Sequence, residues 1–145
     1  MWIIKEEINV RASVAEAFSF LSDLENNPKW LSGLEYTKKL SEGPVGKGTR
    51  LVNKFKERGG VEYQETITQF KKNDSFAFEI HVPGMPVMGA FQFVRTGSGT
   101  KITFVEKLKP ESVTYKLLGP LIYLVAKRQL KKDFLKLQRC IEAPV

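Results

Sequence analysis

The chain is predicted to adopt an α+β fold in which a seven-stranded, curved antiparallel sheet wraps a long C-terminal helix, with two short helices between the first and second strands. Three observations predict it. Across the last stretch, about Ser112 to Glu142, the residues Tyr123, Ala126, Leu130, Phe134, Leu137 and Ile141 recur at steps of three and four, the period of one buried helix face. From Leu34 to Lys109 the pattern changes to alternating strands separated by Gly, Pro and polar turns, with no second helical run. Short turns make successive strands antiparallel, and a long helix with one apolar face needs the concave side of the sheet.

The elements follow in order. Trp2, Ile4, Glu6, Ile8 and Val10 point one way while Lys5, Glu7 and Asn9 point the other, as in a half-buried strand. Ser13 with Glu16 forms a capping box, and Val14, Ala17, Phe18 and Leu21 make the inner face of a short helix. Asn27-Pro28-Lys29-Trp30-Leu31 reads as a second helical piece, its Pro suited to a first turn.

Six strands are expected next. Leu34 to Ser41 is followed by the glycine-rich turn Gly43 to Gly48, then by Thr49 to Glu57 with Leu51, Asn53 and Phe55 on one side. Arg58-Gly59-Gly60 turns into Val61 to Phe70, where Val61, Tyr63, Glu65 and Ile67 share a face. After the polar turn Lys71 to Asp74, Phe76, Phe78, Ile80 and Val82 alternate inward. Pro83-Gly84-Met85-Pro86 leads into Val87 to Arg95 with Phe91 and Phe93 inward, and the Thr96 to Thr100 turn into Lys101 to Lys109 with Ile102, Phe104, Glu106 and Leu108 inward. Gly119-Pro120 reads as the start of the last helix, which then runs for about 20 residues and roughly 30 Å.

Composition narrows the function classes. At 145 residues, 42% hydrophobic and 27% charged, the chain fits one soluble domain with a real core. The one cysteine, Cys140, excludes an intrachain disulfide and suits a reducing compartment. A charge pair follows Met1-Trp2-Ile3-Ile4 too early for a signal-peptide core, and the longest apolar run, Leu117 to Ala126, is broken by Gly119-Pro120 and too short to span a bilayer; a cytoplasmic protein is expected. His81, the only histidine, falls opposite Phe78 and Ile80, so neither a metal site nor a catalytic triad has a second member, and no cofactor is expected. Gly43 to Thr49 has the wrong spacing for a phosphate loop and leads into a strand.

Taken with the order of elements, the runs Ser22-Asp23-Leu24-Glu25-Asn26-Asn27-Pro28-Lys29-Trp30, Gly43-Pro44-Val45-Gly46-Lys47-Gly48-Thr49-Arg50 and Gly97-Ser98-Gly99-Thr100-Lys101-Ile102-Thr103 resemble the START/Bet v 1-like (SRPBCC) superfamily, nearest its polyketide cyclase/dehydratase and lipid-transport branch. The resemblance covers nearly the whole chain, but it rests on turns and helix joints and not on chemistry. It implies a helix-grip fold with an internal cavity for hydrophobic molecules, in a superfamily whose members range from carriers to enzymes.

Three carboxylates fall in phase with apolar neighbours: Glu6, Glu65 and Glu106. A charged group facing a dry core costs several kcal/mol unless it is paired, hydrogen-bonded or neutralised. They could form a polar floor that orients a ligand's hydroxyl or carbonyl, or do acid/base work, with Glu6 facing Glu106 if the first and last strands are neighbours. The alternative is that they pair with Arg50, Lys54 or a tyrosine, or turn outward through a one-residue slip in register. No catalytic set is assigned beyond these candidates.

The expected ligand-facing set adds Asn53, Phe55, Tyr63, Phe78 and Ile80 from the middle strands, Met85, Met88, Phe91, Phe93 and Phe104 from the later ones, and Leu117, Leu121 and Tyr123 from the helix. The 83–86 turn, the 58–60 turn and the exit at Lys109-Pro110 fall at one end, which marks a mouth rimmed by Leu117, Leu118, Leu121, Ile122, Leu124 and Val125. That rim, residues 117–125, could pack on itself, touch a membrane or pair two copies. Beyond it the helix turns basic, with Lys127, Arg128, Lys131, Lys132, Lys136 and Arg139, which serves either a solvated face or an anionic membrane. No basic-aromatic recognition motif accompanies these charges, so nucleic acid is not an expected partner. The leading expectation is binding or transport of a lipid-like or polycyclic molecule, against a cyclase/dehydratase-type or hydrolytic enzyme using the glutamates, and against a membrane- or protein-docking module.

Overall fold

A computed structural model describes residues 1–56 and 59–143. β1 (Trp2–Val10) is followed by α1 (Val14–Ser22) and a 3-10 helix (Leu24–Lys29). Then come β2 (Leu34–Lys39), β3 (Arg50–Phe55), β4 (Glu62–Lys71), β5 (Ser75–Ile80), β6 (Val87–Arg95), β7 (Thr100–Leu108) and α2 (Val113–Glu142). The sheet is antiparallel throughout, in the order β1-β7-β6-β5-β4-β3-β2, so the chain's first strand closes against its last. The predicted strand end at Glu57 and the Arg58 part of its turn lie outside the described residues.

Local sequence explains the joints. Ser13 Oγ accepts the Glu16 N–H at 3.1 Å while the Glu16 carboxylate accepts from Ser13, the reciprocal cap expected of that spacing. A bulge in β4 between Ile67 and Gln69 leaves Thr68 and Gln69 both exposed and returns Phe70 to the core side, where it meets Phe18 and Phe76. Val61, expected inside, precedes β4 and is exposed.

The final helix starts earlier than expected. Gly119-Pro120 is not its beginning: α2 has 30 residues, is capped by Ser112, whose Oγ accepts the Tyr115 N–H at 3.2 Å, and carries Pro120 in its interior. The reason is the neighbouring turn. Gly84 O accepts the N–H groups of Glu111 and Ser112 at 2.8 and 3.1 Å, which fixes the helix start seven or eight residues before the proline. Gly84 adopts φ +81°, and a Cβ there would sit 3.1 Å from the Ser112 side chain, so the site suits glycine twice over.

Two layers of packing result. Phe18 of α1 sits edge-on to Phe70, Phe76 and Phe93, closing one end of the concave face. Phe134 of α2 is buried against the sheet's aromatic floor of Phe91 and Phe104, and Leu137 is buried in the same core. The first half of α2 is different: between Val113 and Leu124 only Gly119 is buried, pressed against the Trp2 indole, where a Cβ would lie 2.8 Å from Nε1.

Candidate functional site

Between the sheet and α2 the helix stands off and leaves two adjoining chambers that share part of their walls. The inner one, about 170 Å³, lies under the loop that follows α1 and is walled by Leu21, Leu24, Trp30 and Leu31 on one side and by Phe76, Phe78, Phe91 and Phe104 on the other. The outer one, about 530 Å³, is bounded by Tyr63, Val82, Met85, Val87 and Leu108 of the sheet and by Leu121, Ile122, Val125 and Ala126 of α2. Phe55, Ile80, Glu106 and Leu130 border both and form the waist between them. An apolar cavity of about 150 Å³ holds a benzene ring, so the inner chamber is on the scale of a single ring and the outer one admits something larger.

The 83–86 turn contributes Met85 to the outer chamber, and the same turn is bonded to the start of α2. Leu121 and Val125 line the chamber while remaining 61% and 59% exposed, which places them at its opening.

Among the polar groups that border this apolar space, three bear on its chemistry. Glu106 opens onto both chambers at the waist, and among the described residues no hydrogen bond or ion pair reaches its carboxylate. Burial pushes that carboxyl up to about 7, since nothing offsets the loss of water. Trp30, 2% exposed, borders the inner chamber, and among the described residues its buried Nε1–H has no hydrogen-bond acceptor. Asp133 of α2 is 3% exposed but satisfied: its carboxylate accepts from Ser32 Oγ at 2.8 Å, from the Ser32 N–H at 3.3 Å and from Gln129 Nε2 at 2.9 Å. It ties the loop roofing the inner chamber to the helix forming the outer wall.

A fourth group lies behind the wall. Thr37 Oγ1 donates to Asn53 Oδ1 at 2.5 Å, and Asn53 Nδ2 donates to Glu65 Oε1 at 2.7 Å, a buried chain across β2, β3 and β4. Burial pushes the Glu65 carboxyl up to about 7, while the Asn53 hydrogen bond pulls it down. Neither Asn53 nor Glu65 lines a chamber; the pair is a structural network inside the sheet.

The structure therefore divides the expected set. Phe55, Tyr63, Phe78, Ile80, Met85, Phe91, Phe104, Glu106 and Leu121 border the cavity. Glu6 does not: it is half-buried on β1 opposite Phe104, and Glu106 stands opposite Ile4, so the two glutamates are offset by two residues and do not face each other. Met88 projects from the convex face between Glu79 and Lys107, as the parity of β6 requires once Phe91 is inside. Phe93 packs under α1, Tyr123 packs against Trp2 with ring centroids 5.5 Å apart, and Leu117 is 77% exposed. Sequence reasoning missed Trp30 and Asp133. Asp133 was findable, because it falls on the buried stripe between Leu130 and Leu137 as Glu106 falls on a buried strand face.

Comparison with known proteins places this architecture. The fold aligns with the crystal structure of TTHA0849 from Thermus thermophilus at a TM-score of 0.78 and 16% identity, covering 96% of each chain. It aligns with Ara h 8.0201 at 0.75 and 16%, covering 98% of each. DynU16, a protein of the dynemicin biosynthetic locus, aligns at 0.68 and 13%, covering 99% of this chain and 48% of that one. No curated protein matches the sequence. Residues 1–141 match the sequence profile of the family described as polyketide cyclase / dehydrase and lipid transport, so the helix-grip architecture and its hollow interior belong to a chain that is a member of that family, within the Bet v 1-like superfamily.

Proposed function

We propose that this protein binds a hydrophobic small molecule, lipid-like or polycyclic, between its sheet and α2, and acts as a carrier or sensor. The observation that carries the reading is the two-chambered space itself, apolar on nearly every wall and opening beside Met85, Leu121 and Val125. The family description, with its lipid transport and polyketide chemistry, supports it. Within the cavity the Trp30 N–H and Glu106 are the groups that orient a guest, by pairing with an oxygen on the part that enters the inner chamber. Native mass spectrometry of the protein purified from its own source tests the reading. The expected result is a co-purifying mass that survives desalting and is lost on unfolding; a bare polypeptide that also fails to take up hydrophobic fluorophores rules it out.

One observation favours a second reading. An unpaired carboxyl poised near neutrality beside an aromatic chamber is suited to protonating or deprotonating a bound ring, the work of a cyclase or dehydratase. Turnover abolished by Glu106→Gln with guest affinity kept would support the enzyme; altered affinity with no turnover in either form would support the carrier.

A further inference from the structure

The outward face of α2 combines two features that extend beyond the cavity mouth at Leu121 and Val125. Its first half exposes Val113, Leu117, Leu118, Leu121, Leu124 and Val125, each between 46% and 77% accessible. Its second half carries Lys127, Arg128, Lys131, Lys132, Lys136 and Arg139. At about 100° per residue, Leu117, Leu121, Leu124, Arg128, Lys132 and Arg139 share one side of the helix, opposite the buried Phe134 and Leu137. The apolar and basic halves thus form one continuous strip.

The charge on that strip is unbalanced. Of the chain's 23 lysines and arginines, seven lie between Val113 and Glu142, against only two acids. Neither acid is free to neutralise them: Asp133 is buried on Ser32 and Gln129, and Glu142 is paired with Arg11 at 3.6 Å. Among the described residues no ion pair involves a cation of α2. Most of the chain's net charge of +7 therefore lies on α2, with Arg128, Lys132 and Arg139 on the same side as the exposed leucines.

We propose that this face docks on an anionic lipid bilayer, with the Leu117–Val125 portion inserted and the basic portion lying along the headgroups, so that the cavity mouth meets the membrane. An apolar segment continuous with a cationic one matches the layered chemistry of an anionic interface. A second copy of this chain is a poor occupant, because it would cover the leucines but bring no counter-charge for the cations from the same face. Nucleic acid would engage the cations but would leave the exposed leucines in water.

The test is flotation of the purified full chain with vesicles of phosphatidylcholine alone and of phosphatidylcholine with about 30% phosphatidylglycerol, at low and high salt. Binding should appear with the anionic vesicles only and fall as salt rises. Leu117→Asp with Leu124→Asp changes two exposed side chains outside the cavity and should abolish it. Each cation strengthens binding roughly fivefold, so Arg128→Ala with Lys131→Ala and Lys132→Ala should weaken it on the order of a hundredfold. Failure to bind anionic vesicles, equal binding to both kinds, or binding unchanged in the double aspartate variant overturns the proposal. So does a lipid-free dimer in light scattering that the aspartates dissolve, or oligonucleotide retention that is lost only with the cations. Because the readout needs no guest, the outcome is independent of whether the cavity is a carrier's or an enzyme's.

Discussion

Glu106 illustrates how one side chain's surroundings become a property of the whole protein. Its carboxyl titrates near 7 when folded and near 4.5 when solvated, so between those values the folded chain holds a proton that the unfolded chain has released. Stability from this group is therefore greatest at low pH and declines as pH rises from about 4.5 to about 7, and Glu65 contributes in the same direction. Glu106→Gln removes one share of that decline. In urea titrations the variant should match the parent near pH 4.5 and exceed it at pH 8 by up to about 3 kcal/mol. At the same scale, Gly89 stands opposite both Phe78 and Glu106, and a Cβ there would come within 2.3 Å of the Phe78 ring. Gly89→Val should force that ring out of its stack on Phe104, costing about 1–3 kcal/mol and reducing hydrophobic-probe uptake by the inner chamber.

Among the elements, α2 has unequal halves. Its C-terminal half is held by the buried Leu130, Phe134 and Leu137, its N-terminal half by the Gly119 contact with Trp2, the half-buried Tyr115, Ile122 and Tyr123, and the bonds that fix its start on Gly84. Pro120 lies in the N-terminal half, exposed, and removes one backbone donor from the helix interior. Pro120→Ala should restore a hydrogen bond and raise stability by about 1–3 kcal/mol in thermal or urea unfolding. The expectation that Gly119-Pro120 begins the helix follows a sound local preference for Pro in a first turn. It fails because Ser112 and the 83–86 turn supply an earlier, tertiary start. The β-strands were easier to read, since alternation survives burial on one face; Phe76, Phe78, Phe91 and Phe104 all lie on the side their parity predicts.

At the scale of the molecule, the cavity depends on separation between elements rather than on any one of them. Four side chains at its waist, Phe55, Ile80, Glu106 and Leu130, come from β3, β5, β7 and α2. Ile80→Trp should plug that waist: small apolar probes should lose the inner chamber while the outer one still takes up larger fluorophores, as read by fluorescence titration of each. No described helix is long and apolar enough to cross a membrane, so any membrane contact by α2 is made from the surface.

The sequence alone determined the strand parity, the helix-grip order of elements and the presence of carboxylates where apolar residues belong, because these depend on periodicities of two and 3.6 along the chain. What only the tertiary structure decided was which glutamate meets open space. Glu6, Glu65 and Glu106 share the same local signature, yet Glu6 sits opposite Phe104, Glu65 is engaged by Asn53, and Glu106 alone faces the cavity, since empty volume arises between elements distant in sequence.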